Sequence, residues 1–290
     1  MTNYIKELNH TKSTRSDLPR IIFLKMSAEI ISPILTNIFN TFILNGFFPN
    51  SLKLSEIIPI YKSGPRTDIN KYRPIVLLSP FSKLFETHLC NNLTNFFNKH
   101  EVINKNQFGF RKNSNTDLAV INSVNQIISA IENNSINCTI FLDLAKAFNT
   151  VNHQILLRKL DKYGVRGLPL MLIKNYLLDR KQITNVNNHK SNELKINVGV
   201  PQGSCLGPLL FLIYINDIHL ASNFKINLFA DDASLSMSHS DPIILESQIN
   251  TELININKWL ISNKLFLNYQ KSNYLIFTKK KEPTKFFFNY

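Results

Sequence analysis

Cysteine is nearly absent from this chain of 290 residues. The three present, Cys90, Cys138 and Cys205, lie far apart with no paired spacing. That excludes a disulfide-stapled scaffold and a zinc knuckle, and it fits a reducing compartment. The N-terminus has no apolar run followed by a small-residue cleavage site, so nothing marks the chain for secretion, and an intracellular location, cytoplasmic or nuclear, is expected. Low-complexity tracts, internal repeats and long linkers rich in glycine, proline or serine are also missing, which leaves one compact unit with subdomains as the expectation. Charge is sparse at 18% of residues, and negative charge is the scarcer sign: 20 Asp and Glu against 33 Lys and Arg give a formal net charge of +13. Such a balance calls for an anionic partner, nucleic acid or an acidic membrane surface. One uncharged run, Ile30 to Leu52, raises the question of a membrane span, but it contains Pro33, Gly46 and several asparagines. Its apolar residues Ile30, Ile31, Ile34, Leu35, Ile38, Phe39, Phe42 and Ile43 recur on one helical face, so the reading is an amphipathic core helix ending at Asn45-Gly46, with no membrane partner.

What is present is a 44% hydrophobic chain, enough for a large core. Ser55 to Tyr61 and Arg73 to Val76 read as short strands around the turn Lys62-Ser63-Gly64-Pro65. Helical periodicity places core-facing helices over Leu84 to Phe97 and over Leu118, Ile121, Val124, Ile128 and Ile131. Cys138 to Leu144 is an apolar strand carrying one carboxylate, Asp143, and a helix from about Asn152 to Tyr163 is stopped by Gly164. Gln182 to Val186 and Leu194 to Val198 flank a polar tract as a hairpin does, and Gly199 to Ser204 leads into an apolar helix over Leu206 to Ile215. Lys225 to Ala230 and Ala233 to Met237 form a tight hairpin with Asp231 and Asp232 at its tip. Asp241-Pro242 caps a helix through Leu260, and Leu265-Leu267 and Tyr274-Phe277 are the last strands.

The acids stand out because an unpaired carboxylate on an apolar strand loses hydration and must find a cation or a proton. Spacing alone leaves two readings open. Asp231-Asp232 is a polar hairpin turn and Asp143 a helix cap, as most such acids are; or the strand ending in Asp143 lies beside the hairpin, and three carboxylates converge on divalent ions that assist phosphoryl transfer.

The surrounding words decide between them. IIPIYKSG, NKYRPIVLLSPFSKLFE, NQFGFRKNSNTDLAV, FLDLAKAFNTVNH, GVPQGSCLGPLLFLIYINDI, LFADDASL and WLISNKLFLNYQKSNYLIF occur in this order over about residues 24 to 278. In wording and order they resemble the reverse transcriptases of non-LTR retrotransposons, particularly the jockey-like elements. The resemblance implies an α+β right-hand polymerase fold with fingers and palm, an antiparallel palm sheet packed on helices, and no thumb before Tyr290. It divides the chain into a lead (1–22), mainly fingers (23–136), a first part of the palm (137–165), an insertion shared by fingers and palm (166–204), the remainder of the palm (205–280) and a basic tail (281–290). The implied activity is RNA-directed DNA polymerisation, a two-metal transfer that extends a primer 3′-hydroxyl with deoxynucleoside triphosphates on an RNA template. Magnesium is the implied ion and manganese a substitute.

Residue by residue, the resemblance implies Asp143, Asp231 and Asp232 as catalytic, metal-holding acids and Lys271 as the donor of a proton to leaving pyrophosphate. It implies Lys62 and Arg73 on the triphosphate, Phe148 under the incoming sugar where a 2′-hydroxyl would clash, and Gln202 with Gly203 beside nucleotide and template base. Phe108, Phe110, Arg111 and Lys112 join aromatic surface to basic charge as a template track does, although the two phenylalanines suit core packing equally. Two departures stand out: AFN, with Asn149, replaces the usual AFD, and the glycine-rich approach is reduced to Ser16-Asp17-Leu18-Pro19. With no thumb and no preceding endonuclease region, these support a second reading, a silent copy that only binds RNA or hybrid duplex.

Overall fold

The structure, a computed structural model, describes residues 1–8, 21–279 and 286. The segment at 16–19 and the basic tail other than residue 286 lie outside the described residues. In chain order the elements are α1 (Thr2–Glu7), α2 (Ile21–Met26), α3 (Ala28–Leu44), β1 (Leu54–Tyr61), β2 (Tyr72–Leu77), α4 (Pro80–Lys99), α5 (Thr116–Glu132), β3 (Ile136–Asp143), α6 (Ala147–Thr150), α7 (His153–Lys162) and α8 (Leu168–Leu177). There follow β4 (Arg180–Val186), β5 (His189–Lys190), β6 (Leu194–Ile196), α9 (Leu206–Ile215), β7 (Lys225–Phe229), β8 (Asp232–His239), α10 (Pro242–Ser262) and β9 (Asn273–Phe277). They form two units, one of residues 1–100 with 153–210, the other of 101–152 with 211–290.

In the first unit β1 pairs antiparallel with β2 and parallel with β4, and β4 carries both β5 and β6 on its other edge. The hairpin expected after residue 182 turns at Asn187-Asn188, both at positive φ, which suits the right-handed twist of the flanking strands. Phe85 anchors the core, stacked on Phe39 at 4.7 Å and on Phe48 at 5.3 Å. The expected face of α3 is only half right. Ala28, Ser32, Leu35 and Phe39 point inward, and Ile30, Ile34 and Ile38 are exposed, Ile30 to 76%. The buried stripe is rotated, and it admits Ser32 because the Thr2 hydroxyl bonds Ser32 Oγ at 2.8 Å.

The second unit is built on an antiparallel sheet in the order β7-β8-β3-β9. The helix α10 starts at Asp241, whose carboxylate accepts from the amides of Ile243 and Ile244, and it buries the stripe Leu245, Ile249, Leu253, Ile256 and Leu260. The expected inner face of α5 is overturned: Leu118, Ile121, Val124 and Ile128 are exposed. The cause is a polar seam. Asn227 on β7 accepts from Asn122 at 2.7 Å and Gln126 at 3.3 Å and donates to Ser123 at 3.0 Å, so the amide side of the helix turns to the sheet. The strand expected at Leu265-Leu267 is reduced to a single bridge between Leu267 and Leu144.

Candidate active site

Register brings the acids of the second unit together. In the antiparallel pairing of β3 with β8, Asp143 stands directly opposite Asp232, and residues opposite one another share a face of the sheet. Phe229 pairs with Asp232, so Ala230 and Asp231 are the two residues of the turn between β7 and β8. Burial and then the charge of Asp143 push the Asp231 carboxyl above the usual range, and burial followed by the charges of Asp231 and Asp143 does the same to Asp232. Lys271 Nζ lies 3.5 Å from Asp143 Oδ2. The backbone of Asp143 is also held, its N–H donating to Ser272 Oγ at 3.3 Å and its carbonyl accepting from Asn268 N at 2.8 Å. Beside the acids is a cavity of about 650 Å³, walled by Asp143, Asp232 and Lys271 and by the apolar Val120, Val124 and Phe141.

Among the described residues no group of three His, Cys, Asp or Glu side chains is already gathered as a metal cage. The donors at the strand ends are nonetheless all carboxylate oxygens, and the charge of Asp143 raises the affinity of Asp231 and of Asp232 for a proton. That is the donor chemistry a hard divalent cation takes, and its charge would remove the repulsion.

Immediately after β3, Lys146 takes a left-handed conformation and starts α6, which carries Phe148. The Phe148 ring packs at 4.6 Å on Phe211 and meets Phe110 edge-on at 6.2 Å. Phe110 and Lys112 are exposed and Phe108 is half-buried. Arg111 donates to the carbonyls of Asn104 at 3.0 Å and Gln107 at 3.3 Å, so its guanidinium holds its own loop.

Sequence reasoning passed over Gln107 and Ser272, both of which bind backbone of the acid-bearing segments. Gln107 is 2% exposed, and its side-chain carbonyl accepts from Gly109 N at 2.8 Å and Ala230 N at 3.1 Å. Ala230 has φ +58°, a left-handed conformation that costs an L-residue about 1–2 kcal/mol. The signals available were the NQFGF wording for Gln107 and the serine following Lys271; neither specifies a backbone partner.

The remaining expected residues lie in the first unit. Arg73 on β2 pairs with Ile60, and Lys62 just beyond β1 donates its amide to Lys71 O at 2.8 Å; both side chains are exposed. Three residues along β2 from Arg73, Val76 N donates to Gln202 O at 3.1 Å. Gly203 follows at φ +113°, where an added Cβ would stand 2.9 Å from Val76 O, so only glycine fits without a shift. Ser204 Oγ accepts from Gly207 N at 2.8 Å and caps α9, and the buried His153 ring bonds Gly199 O at 2.8 Å. Lys62, Arg73, Gln202 and Gly203 are thus gathered on the β1-β2 hairpin and the loop bonded to it. Asp143, Asp231, Asp232, Lys271 and Phe148 are gathered at the strand ends of the second unit.

Residues 60–287 match the family model described as reverse transcriptase (RNA-dependent DNA polymerase). Similar curated proteins of Drosophila melanogaster include the probable RNA-directed DNA polymerase from transposon BS, 32% identical over 258 residues, which are 84% of this chain and 28% of that protein. The RNA-directed DNA polymerase from mobile element jockey is 29% identical over 287 residues, 96% of this chain and 31% of its own length. The probable RNA-directed DNA polymerase from transposon X-element is 30% identical over 253 residues, 85% of this chain and 28% of its own length. The chain therefore spans less than a third of the length of these relatives. With the family model covering most of its residues, the chain belongs to the reverse transcriptase (RNA-dependent DNA polymerase) family.

Proposed function

We propose that this chain is the RNA-directed DNA polymerase core of a non-LTR retrotransposon and that it extends a DNA primer with deoxynucleoside triphosphates along an RNA template. The observation that carries this reading is the register of β3 and β8, which sets Asp143 opposite Asp232 with Asp231 in the adjoining turn. Within the division expected from the sequence, the acid-bearing sheet of the second unit is read as palm and the β1-β2 hairpin of the first unit as fingers. Asp143, Asp231 and Asp232 would hold two magnesium ions, for which manganese would substitute. Bound there, the ions would make the primer 3′-hydroxyl a better nucleophile and neutralise charge on the departing pyrophosphate.

The chain's own residues bind and orient. Lys62 supplies a point charge and Arg73 a planar fork to the triphosphate oxygens, which suits their exposure on neighbouring strands. Gln202 and Gly203 sit beside the nucleotide and template base, on a loop whose backbone is bonded to β2. The Phe148 ring, backed by Phe211, lies under the sugar and excludes a 2′-hydroxyl. Lys271, near Asp143, gives a proton to the leaving pyrophosphate. Phe108, Phe110 and Lys112 track the template by stacking and charge, in keeping with the +13 balance of the chain.

The test is primer extension on an RNA template with magnesium, the parent run beside Asp231→Asn at matched fold content by circular dichroism. Incorporation by the parent with a loss of about a thousandfold or more in the variant is expected, since removal of a metal-holding charge removes transition-state stabilisation. Equal rates in the two proteins would sink the assignment.

A further inference from the structure

Ala230 occupies a turn position that glycine usually fills, because a two-residue hairpin loop demands positive φ there and alanine resists it. Something must hold it, since the next two residues are the paired acids. The segment before α5 lies along β7: Leu228 N donates to Asn106 O at 2.8 Å and Phe108 N to Leu228 O at 2.8 Å, a parallel bridge centred on Gln107. One residue further the two backbones nearly touch. A Cβ on Gly109 would stand 2.2 Å from Ala230 N, so only glycine permits this approach. Into the join Gln107 turns its side-chain carbonyl, which takes one hydrogen bond from Gly109 and one from Ala230. Both acceptor positions of that oxygen are used, while the buried Nε2 of the same side chain has no hydrogen-bond partner among the described residues. The site therefore uses the residue as an acceptor. A wholly apolar side chain would leave two backbone donors unsatisfied in a buried place.

We propose that Gln107 is a positioning residue for polymerisation, a brace that locks the left-handed Ala230 and thereby sets the direction in which Asp231 and Asp232 present their carboxylates. This rests on the reading of those two aspartates as the reacting acids. It also gives the NQFGFR segment a role besides template contact, in which Gln107 braces, Gly109 allows the close approach, and Arg111 pins the loop through the carbonyls of Asn104 and Gln107.

The test compares the full chain with Gln107→Met, which keeps length without the acceptor, and Gln107→Glu, which keeps the acceptor. Amide exchange is followed on peptides covering 224–235 in metal-free protein. In Gln107→Met the Ala230 amide should exchange about tenfold faster or more, with the peptides of residues 199–206 unchanged, and Gln107→Glu should retain protection. Addition of Ala230→Gly to Gln107→Met should restore part of the lost incorporation, because glycine takes the positive φ unaided; this arm holds even where the single variant folds poorly. In primer extension Gln107→Met should need about tenfold more magnesium for half-maximal rate, with template-primer affinity unmoved. Parental Ala230 protection in Gln107→Met would overturn the brace, as would rescue failing in the double variant. Lost protection with a parental magnesium requirement would overturn the positioning role, whereas a failure of the reading of Asp231 and Asp232 as the reacting acids shows separately, as parental incorporation by Asp231→Asn.

Discussion

The two units handle buried charge in opposite ways. In the first, opposite charges lie near one another. Burial pushes the Glu86 carboxyl up and the Arg180 guanidinium opposes it, Glu56 takes Lys190 at 3.7 Å and an amide of Asn185 at 2.6 Å, and burial pushes the Lys53 ammonium down against the charge of Asp179. Arg180 is further held, its guanidinium 4.7 Å from the Tyr176 ring and bonded to Ser55 at 3.3 Å. In the second unit Asp143 stands opposite Asp232 across a strand pair with Asp231 in the adjoining turn, and Lys271 lies beside Asp143. Buried charges of opposite sign set near one another are scaffold, whereas like charges brought onto one sheet face by backbone register leave their field to act on something that arrives.

The largest expected effect breaks the scaffold. Arg180→Met removes at once the bonds to Tyr176 O and Ser55, the packing on the Tyr176 ring and the charge facing Glu86, and should lower unfolding free energy by about 2–4 kcal/mol in urea titration. Asp143→Asn, by contrast, should unfold at or above the parental temperature in metal-free buffer, since it removes repulsion; a drop comparable to that of Arg180→Met would erase the distinction between the units. Next in size is Gly203→Ala. Its φ of +113° and the approach to Val76 O predict a loss of about 1–3 kcal/mol, together with a raised KM for deoxynucleotides in steady-state extension. Phe148→Val sharpens the reading of the second unit. The ratio of kcat/KM for ribonucleotides over deoxynucleotides should rise about tenfold as the clash is relieved, and an unchanged ratio would return Phe148 to core packing. The smallest effect on stability is Lys271→Gln. Both partners of its ion pair are partly exposed, so less than about 1 kcal/mol is lost, while single-turnover incorporation should slow measurably.

Much of this architecture was legible from local signals. The apolar run ending in Asp143 is β3, the two acids do sit at a hairpin tip, and Asp241-Pro242 does start α10. Where reading failed, the reason was the partner and not the element. The helix α5 has the expected span, yet Asn227 drew its amide face to the sheet and left Leu118, Ile121, Val124 and Ile128 outside, which periodicity read one helix at a time does not anticipate. On α3 the buried stripe runs through Ala28, Ser32, Leu35 and Phe39, with Ser32 satisfied there by the Thr2 hydroxyl, a partner no reading of α3 alone supplies.

By itself the sequence determined the kinds of element, the basic balance and the family, because propensity, periodicity and ordered motif wording are local properties carried along the chain. Only the tertiary structure decided which residues oppose one another. Register sets Asp143 against Asp232, a carbonyl 123 residues upstream fixes Ala230, and a buried arginine lies near Glu86, which is far away in the chain. Each of these depends on hydrogen bonds and charges meeting across distant segments, and such pairings exist only once the chain has folded.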